Sequence, residues 1–270
     1  MNKNILKIGF IGCGKMASAI IKGILNSSES KKFELIGSEV NTEIAHLASE
    51  RLGIEVISDN MELAKRVDVV VIATKPMYVL NVLEEIKPVF DENKLLISIA
   101  AGVSTKKINS VLPSQRVIRV MPNTPALLGV GMAGISKGQH ATDEDAELVY
   151  DIMSKVGKAI ILDEKKIDIV TAISGSGPAF FYQVIEDMAR AGEKLGLDYE
   201  NALLLATQTA LGSARMIEMR GELTVQNLID NVATKGGCTF VGICSMKEGK
   251  SGELFERVIA ETTRKASELG

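Results

Sequence analysis

The sequence predicts a chain of two domains, an α/β domain with a parallel sheet followed by an all-helical C-terminal domain. Its 270 residues are enough for two domains of ordinary size. Up to about residue 160, short β-branched runs alternate with helical patterns, which is typical of βαβ units. From Ile167 onward only long helical patterns remain. We place the boundary after residue 163, so that the domains span residues 1–163 and 164–270.

Short apolar runs rich in β-branched residues predict the strands of the first domain. They are Ile5–Ile11, Phe33–Ile36, Ile54–Ile57, Val67–Ala73, Leu95–Ile99 and Val117–Val120. Apolar residues at helical spacing lie between most of these runs and predict helices, for example over Met16–Leu25 and Thr42–Leu52. The segment Val69–Ala73 is apolar throughout, as expected of a central parallel strand covered on both faces.

The second domain is predicted from helical patterns interrupted by glycines at Gly196, Gly221 and Gly236-Gly237. The segment from Ala202 to Met216 is apolar around much of its circumference. Such a helix is expected to be buried between other helices. Because so wide an apolar surface can also be shared between subunits, we expect a homodimer or a larger homo-oligomer, with this domain serving dimerisation.

Composition excludes several classes of function. The chain has no Trp, 4% aromatic residues, two His and a formal net charge of −3. The chain therefore has too few His for an imidazole-based zinc site and too few aromatic residues for a base-stacking platform. It also lacks the positive charge that binds nucleic acid by counterion release. The three Cys lack CxxC spacing, so we expect no metal site. Without a signal-peptide pattern or a membrane-length apolar run, we expect a cytoplasmic protein that binds neither membrane nor nucleic acid.

The strongest single motif is a GxGxxA fingerprint formed by Gly12, Gly14 and Ala17. It follows an apolar strand and opens a helix. Glycines at these positions allow a tight turn and a close approach of a pyrophosphate, whose charge is met by helix N-terminal N–H groups. The alternative is an ordinary strand–helix turn. In this context the motif predicts a Rossmann-type dinucleotide-binding domain with NADPH or NADH as the cofactor.

The choice between the two cofactors depends on the end of the second strand. Glu39 stands there, where a carboxylate accepts a hydrogen bond from the ribose 2′-OH of NAD. No Arg follows immediately to hold a 2′-phosphate. The alternative for Glu39 is a solvated loop charge, and the sequence leaves both open.

Three further segments are predicted to meet at the carboxyl edge of the sheet, where open α/β sheets bind ligands. Ala73–Pro76 ends the fourth strand, Ala100–Gly102 ends the fifth, and Met121–Pro125 follows the sixth. Each could be ordinary loop chemistry. Together they indicate a cofactor cleft.

The helical domain carries two glycine-rich interruptions, Ser174–Pro178 and Thr234–Thr239. Each precedes a helical pattern and is expected to expose N–H donors at a helix N-terminus, which suits a carboxylate. The hydroxyl of Thr239 adds a donor and acceptor. The alternative is a pair of helix–helix turns with Thr239 as an N-cap.

In combination, the motifs resemble the delta-1-pyrroline-5-carboxylate reductase family essentially from end to end. The matching segments are IGFIGCGKMA at 8–17, ATKP at 73–76, ISIAAGV at 97–103, RVMPNTPALLG at 119–129, SGSGPAF at 174–180 and VATKGGCTFVGI at 232–243. The resemblance implies NADPH- or NADH-dependent reduction of 1-pyrroline-5-carboxylate to L-proline, the last step of proline synthesis. Hydride is transferred to the carbon of the cyclic imine.

The resemblance also implies site residues, position by position. Those expected to bind the cofactor are Ile11, Gly12, Cys13, Gly14, Lys15, Met16, Ser38, Asn60, Ala73, Thr74, Lys75, Pro76, Ala100, Ala101 and, from an adjoining subunit, Asn231. Those expected to bind the substrate are Ser176, Gly236, Gly237, Cys238 and Thr239. Thr239 is the expected catalytic residue, hydrogen-bonded to the ring nitrogen.

Two departures from the family pattern leave alternatives open. Lys235 stands where the family usually has Pro, and a His-Pro pair common in the family is missing from residues 221–227. The departures permit a related reductase that acts on another imine or oxo acid. A non-catalytic dinucleotide-binding protein that regulates or scaffolds through its helical domain is a second open alternative.

Overall fold

The computed structural model describes residues 5–268 and forms two compact units. The first runs up to Ser176 and includes the end of the chain from Thr262, and the second is Gly177–Glu261. The first unit contains an eight-stranded sheet in the order β3-β2-β1-β4-β5-β6-β7-β8. Its parallel core and the helices of the second unit confirm the predicted fold class.

The strands of the sheet have the following bounds. They are β1 (Leu6–Ile11), β2 (Phe33–Ser38), β3 (Glu55–Ile57), β4 (Val69–Ile72), β5 (Leu95–Ser98), β6 (Arg116–Met121), β7 (Gly131–Lys137) and β8 (Gly157–Ile161). The first six are parallel, β7 runs antiparallel to β6, and β8 runs parallel to β7. The six predicted strands are confirmed.

Seven α-helices accompany the sheet within the described part of the first unit. They are α1 (Lys15–Leu25), α2 (Thr42–Leu52), α3 (Asn60–Arg66), α4 (Val79–Ile86), α5 (Thr105–Val111), α6 (Asp143–Ser154) and α7 (Ile167–Val170). One apolar core contains Val69 and Val71 together with residues of α1, α2 and α6. The other contains Val70 and Ile72 with residues of α3, α4 and α5. Strand β4 is therefore covered on both faces, as its sequence predicts.

The second unit is built from α8 (Gly177–Lys194), α9 (Tyr199–Glu218), α10 (Val225–Val232), α11 (Cys238–Glu248) and the first part of α12 (Ser251–Glu268). Helices α8 and α9 form a hairpin that turns at Gly196, whose φ is +101°. Gly192 lets the two helices approach, because a Cβ there would lie 3.2 Å from the Cβ of Ala202. The hydroxyl of Tyr199 donates to Glu186 at 2.6 Å and ties the helices together.

The apolar surface of this unit stays largely uncovered within one chain. In α9 only Ala202 and Ala206 are buried, while Leu204 is 66% exposed. Helices α10 and α11 have no buried residue in the described structure. Within one chain α9 packs mainly on α8, so the burial that its sequence predicts is not reached there and the expected sharing between subunits stays a prediction.

Among the described residues, no helix combines the length and the apolar character that crossing a bilayer requires. The same part of the chain contains no group of three or more His, Cys, Asp or Glu placed to hold a metal ion.

Candidate active site

A cleft of about 670 Å³ opens at the carboxyl ends of β1, β2 and β4. This volume falls within the usual range of small-molecule sites. Of the predicted cofactor residues, those lining it are Ile11, Gly12, Gly14, Ser38, Asn60, Ala73, Thr74 and Lys75. The structure adds Glu39, Val40, Tyr78, Asn81, Val82 and Glu85 to the lining.

The glycine-rich turn after β1 forms one wall of the cleft. Gly12 has φ +91°, its N–H donates to the carbonyl of Ser38 at 2.9 Å, and an added Cβ would lie 3.0 Å from the carbonyl oxygen of Ala73. A side chain at Gly12 would therefore strain both the backbone and its neighbour. A Cβ at Gly14, in contrast, would have no atom within 4 Å, so this glycine faces open space.

The N-terminus of α1 begins at this turn. Gly14 is its N-cap and provides no side-chain cap. The first hydrogen bond of the helix runs from the N–H of Ser18 to Gly14 at 2.9 Å. The N–H groups of Lys15, Met16 and Ala17 therefore have no acceptor inside the helix, and they carry the positive end of its dipole. A pyrophosphate fits such an end.

The Cys13 side chain packs between the turn and β2. It is 1% exposed, its Sγ lies 3.8 Å from the carbonyl oxygen of Ser38, and a Cβ at Gly37 would come within 2.5 Å of that sulfur. Burial, reinforced by the negative charge of Glu39, raises the pKa of the Cys13 thiol to about 12. Cys13 is therefore a packing residue, since the thiolate is the reactive form.

We expect Cys13 to resist alkylation by iodoacetamide at pH 8 in the folded protein. Its pKa of about 12 leaves very little thiolate at that pH, and burial blocks the reagent. Peptide mass mapping after a short exposure measures the modification. In denaturant all three cysteines should react, which is the control. Rapid modification of Cys13 in the folded protein would contradict this view of the turn.

Two buried polar residues continue the wall beyond β2. Ser38 is fully buried and Asn60 is 5% exposed. The Ser38 hydroxyl donates to Oδ1 of Asn60 at 2.7 Å, and Nδ2 of Asn60 donates to Glu85 at 2.9 Å. Glu39 accepts from the N–H of Cys13 at 2.6 Å. The predicted pair is thus part of a longer polar chain that ends on a carboxylate.

Thr74 supplies an unused polar group at the end of β4. Its hydroxyl oxygen is inaccessible to solvent and has no hydrogen-bond partner in the described structure. Buried polar atoms are normally paired, so a ligand in the cleft is a suitable partner. The open space at Gly14, the α1 N-terminus and this hydroxyl together fit a bound dinucleotide.

The remaining predicted cofactor residues of the first unit do not line the cleft. Cys13 and Ala100 are buried, and Ala101 is half-buried beside Ala100. Pro76 is exposed and begins a short 3₁₀ turn, Pro76–Tyr78. Lys15 and Met16 begin α1, where their backbone N–H groups have no helical acceptor. Their cofactor contacts stay predictions.

Ser176 follows a π-helical segment, Thr171–Gly175, that continues α7. The N–H of Ser176 donates to the carbonyl of Thr171 at 2.8 Å. The segment is thus helical where we expected a break, and this N–H is already used. Asn123 holds the segment by donating to the carbonyl of Ser174 at 3.0 Å. Single π-helical turns are frequent at functional sites.

The glycine-rich segment of the second unit does form a helix N-terminus. Gly236 has φ +81°, and Gly237 is the N-cap of α11. The N–H of Gly237 donates to Thr234 at 2.9 Å, and the first helical bond runs from Val241 to Gly237. The N–H groups of Cys238, Thr239 and Phe240 are therefore left without helical acceptors.

Thr239 is the second residue of α11 and half-buried, so it is not the N-cap that the alternative interpretation required. Asn231 is exposed on α10.

The sheet, the glycine-rich turn and the cleft define an oxidoreductase of the NAD(P)-dependent class. Residues 7–102 match the family described as NADP oxidoreductase, coenzyme F420-dependent, and residues 164–269 match the pyrroline-5-carboxylate reductase dimerisation family. Pyrroline-5-carboxylate reductases of Pisum sativum and Methanosarcina acetivorans are 39% and 37% identical, over 95% and 98% of this chain and 94% and 98% of theirs. The chain belongs to the pyrroline-5-carboxylate reductase family, which confirms the resemblance.

Solved structures agree with this assignment. A pyrroline-5-carboxylate reductase from Coxiella burnetii superimposes with a TM-score of 0.91 at 35% identity, covering 99% of both chains. A pyrroline carboxylate reductase from Plasmodium falciparum with NADP bound gives a TM-score of 0.85 at 33% identity, covering 98% of both chains. The expected cofactor class is confirmed as NAD(P)H.

Proposed function

We propose that this protein reduces 1-pyrroline-5-carboxylate to L-proline, with NADPH or NADH as the hydride donor. The observation that carries the proposal is the cradle around Gly12 and Gly14, where the α1 N-terminus and Thr74, with its unpartnered hydroxyl, border one cleft. Family membership supplies the substrate. The dinucleotide, when bound, supplies a hydride from its reduced nicotinamide to the C=N carbon.

Residues of the chain bind the cofactor and orient it. The N–H groups at the start of α1 hold the pyrophosphate, Ser38 and Asn60 face the adenosine ribose, and Ala73, Lys75, Pro76, Ala100 and Ala101 border the nicotinamide. Asn231 reaches the cofactor of an adjoining subunit. These roles follow the family pattern, and helix N-terminal anion binding supports the first of them.

The substrate carboxylate is held by the N–H groups at the start of α11, around Gly236, Gly237 and Cys238. The family pattern also assigns Ser176 to the substrate. The Thr239 hydroxyl accepts a hydrogen bond from the ring N–H of the protonated imine. A protonated imine is already electrophilic, so the reaction needs no strong general base. This agrees with two exposed histidines, His46 in α2 and His140 before α6, which are unsuited to a buried catalytic role.

An assay of NADH and NADPH oxidation tests the proposal. Pyrroline-5-carboxylate is compared with a panel of other cyclic imines and oxo acids. Turnover with pyrroline-5-carboxylate as the best substrate is expected. Faster turnover of another imine or oxo acid would favour a related reductase, and tight cofactor binding without any turnover would favour a regulatory protein.

Replacing Thr239 with Ala is expected to lower turnover by about tenfold to a hundredfold. That range corresponds to one hydrogen bond to a charged group, worth about 1.5–3 kcal/mol. Cofactor affinity should not change. Thr239→Ser keeps the hydroxyl and serves as the control, with activity near wild type. Unchanged turnover and substrate affinity in Thr239→Ala would refute the catalytic role.

The protein works as a homo-oligomer through its helical domain, which belongs to a dimerisation family. The exposed leucines of α9 support this assembly, since large apolar side chains exposed on one helix are available to pack against a second subunit. Light scattering at micromolar concentration should show a dimer or a larger species, and a stable monomer would contradict it.

We further propose a cytoplasmic location, and we keep the domain boundary after residue 163.

A further inference from the structure

One end of the cleft is formed by Ser38, Glu39, Asn60 and Glu85, and we call it the adenosine end. Hydrogen bonds connect Ser38, Asn60 and Glu85 in series, and which atom donates in each of them can be determined. Glu85 is a carboxylate and can only accept, so the Asn60 amide presents its nitrogen to it at 2.9 Å. Oδ1 of Asn60 must then face Ser38, whose single hydroxyl hydrogen is donated to it at 2.7 Å. What Ser38 can still offer a ligand is therefore a lone pair, an acceptor.

A second carboxylate stands next to this chain. Glu39 lies at the end of β2 and lines the cleft, with Oε1 2.6 Å from the N–H of Cys13. This is the position from which an acidic residue meets the adenosine ribose in Rossmann domains. Among the described residues of the lining, Lys75, which follows β4, is the one cation. Arg51 donates to the carbonyl of Cys13 at 2.7 Å and does not belong to the lining.

We propose that this end of the cleft selects NADH over NADPH, and that Glu39 and Glu85 determine the choice. A ribose 2′-OH is a donor and matches the acceptors of Ser38 and Glu39. A 2′-phosphate carries a charge close to −2 and only accepts, so it meets the negative carboxylates of Glu39 and Glu85 and, in Ser38, a hydroxyl whose hydrogen is already donated to Asn60. The proposal rests on the proposed function for the use of a reduced dinucleotide and specifies which one.

Binding measurements test the proposal without any turnover. Isothermal titration calorimetry compares NAD⁺ with NADP⁺, and 5′-AMP with 2′,5′-ADP, which probe the adenosine end alone. We expect the unphosphorylated ligand of each pair to bind at least about tenfold more tightly. Because part of this preference comes from charge repulsion, the ratio of the two affinities should decrease as the salt concentration rises. If an arginine held the 2′-phosphate, a rise in salt concentration would instead lower the affinity for NADP⁺.

Charge-neutral variants separate the two carboxylates. Glu39→Gln should weaken NAD⁺ binding and strengthen NADP⁺ binding. Glu85→Gln should strengthen NADP⁺ binding by about threefold to fivefold, the size of one solvent-screened charge pair, with NAD⁺ nearly unchanged. Glu84→Gln is the matched control, because it removes the same charge one position away on α4, where Glu84 faces Lys87 and does not line the cleft. It should leave both affinities unchanged.

Equal affinity for the two ligands, or a preference for NADP⁺, would overturn the proposal. So would an NAD⁺ preference that survives in the Glu39→Gln/Glu85→Gln double variant, because the two residues would then not determine it. Since the ligands are tested for binding alone, a protein that fails to reduce pyrroline-5-carboxylate but prefers NAD⁺ would refute the proposed function and leave this proposal intact.

Discussion

Replacing Gly12 with Ala is expected to cost the protein both cofactor affinity and stability. At φ +91° a side chain is strained by about 1–2 kcal/mol, and the new Cβ would lie 3.0 Å from the backbone oxygen of Ala73. A backbone neighbour cannot move aside as a side chain can, so the turn must shift. Because the turn also bonds to Ser38, the shift displaces the α1 N-terminus from the cleft. NADH affinity should fall at least about a hundredfold.

Gly14→Ala is the matched comparison, because it adds the same methyl group two residues away. Its Cβ would meet no protein atom within 4 Å. Since Gly14 is the α1 N-cap, stability should fall by no more than about 1 kcal/mol. The methyl group would occupy the space proposed for the pyrophosphate, so NADH affinity should still fall. Urea unfolding and calorimetric titration measure the two effects. Unchanged NADH binding in Gly14→Ala would contradict the placement of the cofactor beside this turn.

The parallel part of the sheet could be predicted because its signal is local. Each of the first six strands is a short β-branched run, and β4 is apolar at every position, so burial on both faces follows from its sequence alone. Strands β7 and β8 lack this signal. Gly131 and Gly134 interrupt β7, and Gly157 begins β8, because their neighbours leave no room for a side chain: a Cβ at Gly157 would lie 2.1 Å from the oxygen of Gly131. Glycine therefore stands at these positions in place of the β-branched residues that are usual in strands.

The site divides in the same way. The glycine-rich turn and the strand ends are contiguous in sequence, so Gly12, Ser38 and Ala73 could be placed at one edge of the sheet. Glu85 could not, because it is an exposed residue on a helix and its role depends on a hydrogen bond to Asn60 across the fold. The glycines of Ser174–Pro178 predict an interruption. In the structure Ser174 and Gly175 instead end a π-helical segment that is held by Asn123, a tertiary contact with no local signature.

A buried ion-pair network anchors that π-helical segment. Arg119 on β6 has a side chain only 6% exposed and lies 3.4 Å from Glu164 and 3.4 Å from Asp168. Glu164 also accepts from the N–H and the hydroxyl of Thr105, at 2.7 and 2.5 Å. Asp168 belongs to α7, which leads directly into the segment before Ser176. One guanidinium therefore connects β6 to the start of the predicted substrate loop.

Arg119→Met is expected to destabilise the protein strongly, because it leaves two carboxylates partly buried without their cation. Breaking a buried pair costs about 3–5 kcal/mol, and the lower end applies since Glu164 and Asp168 are 25% and 29% exposed. Arg66→Met is the matched control: it removes an exposed pair with Glu55, worth less than about 1 kcal/mol. Urea unfolding measures both. The triple variant Arg119→Met/Glu164→Gln/Asp168→Asn should recover part of the loss, because the unpaired charges are gone. If the single variant costs no more than Arg66→Met, the network does not anchor this segment.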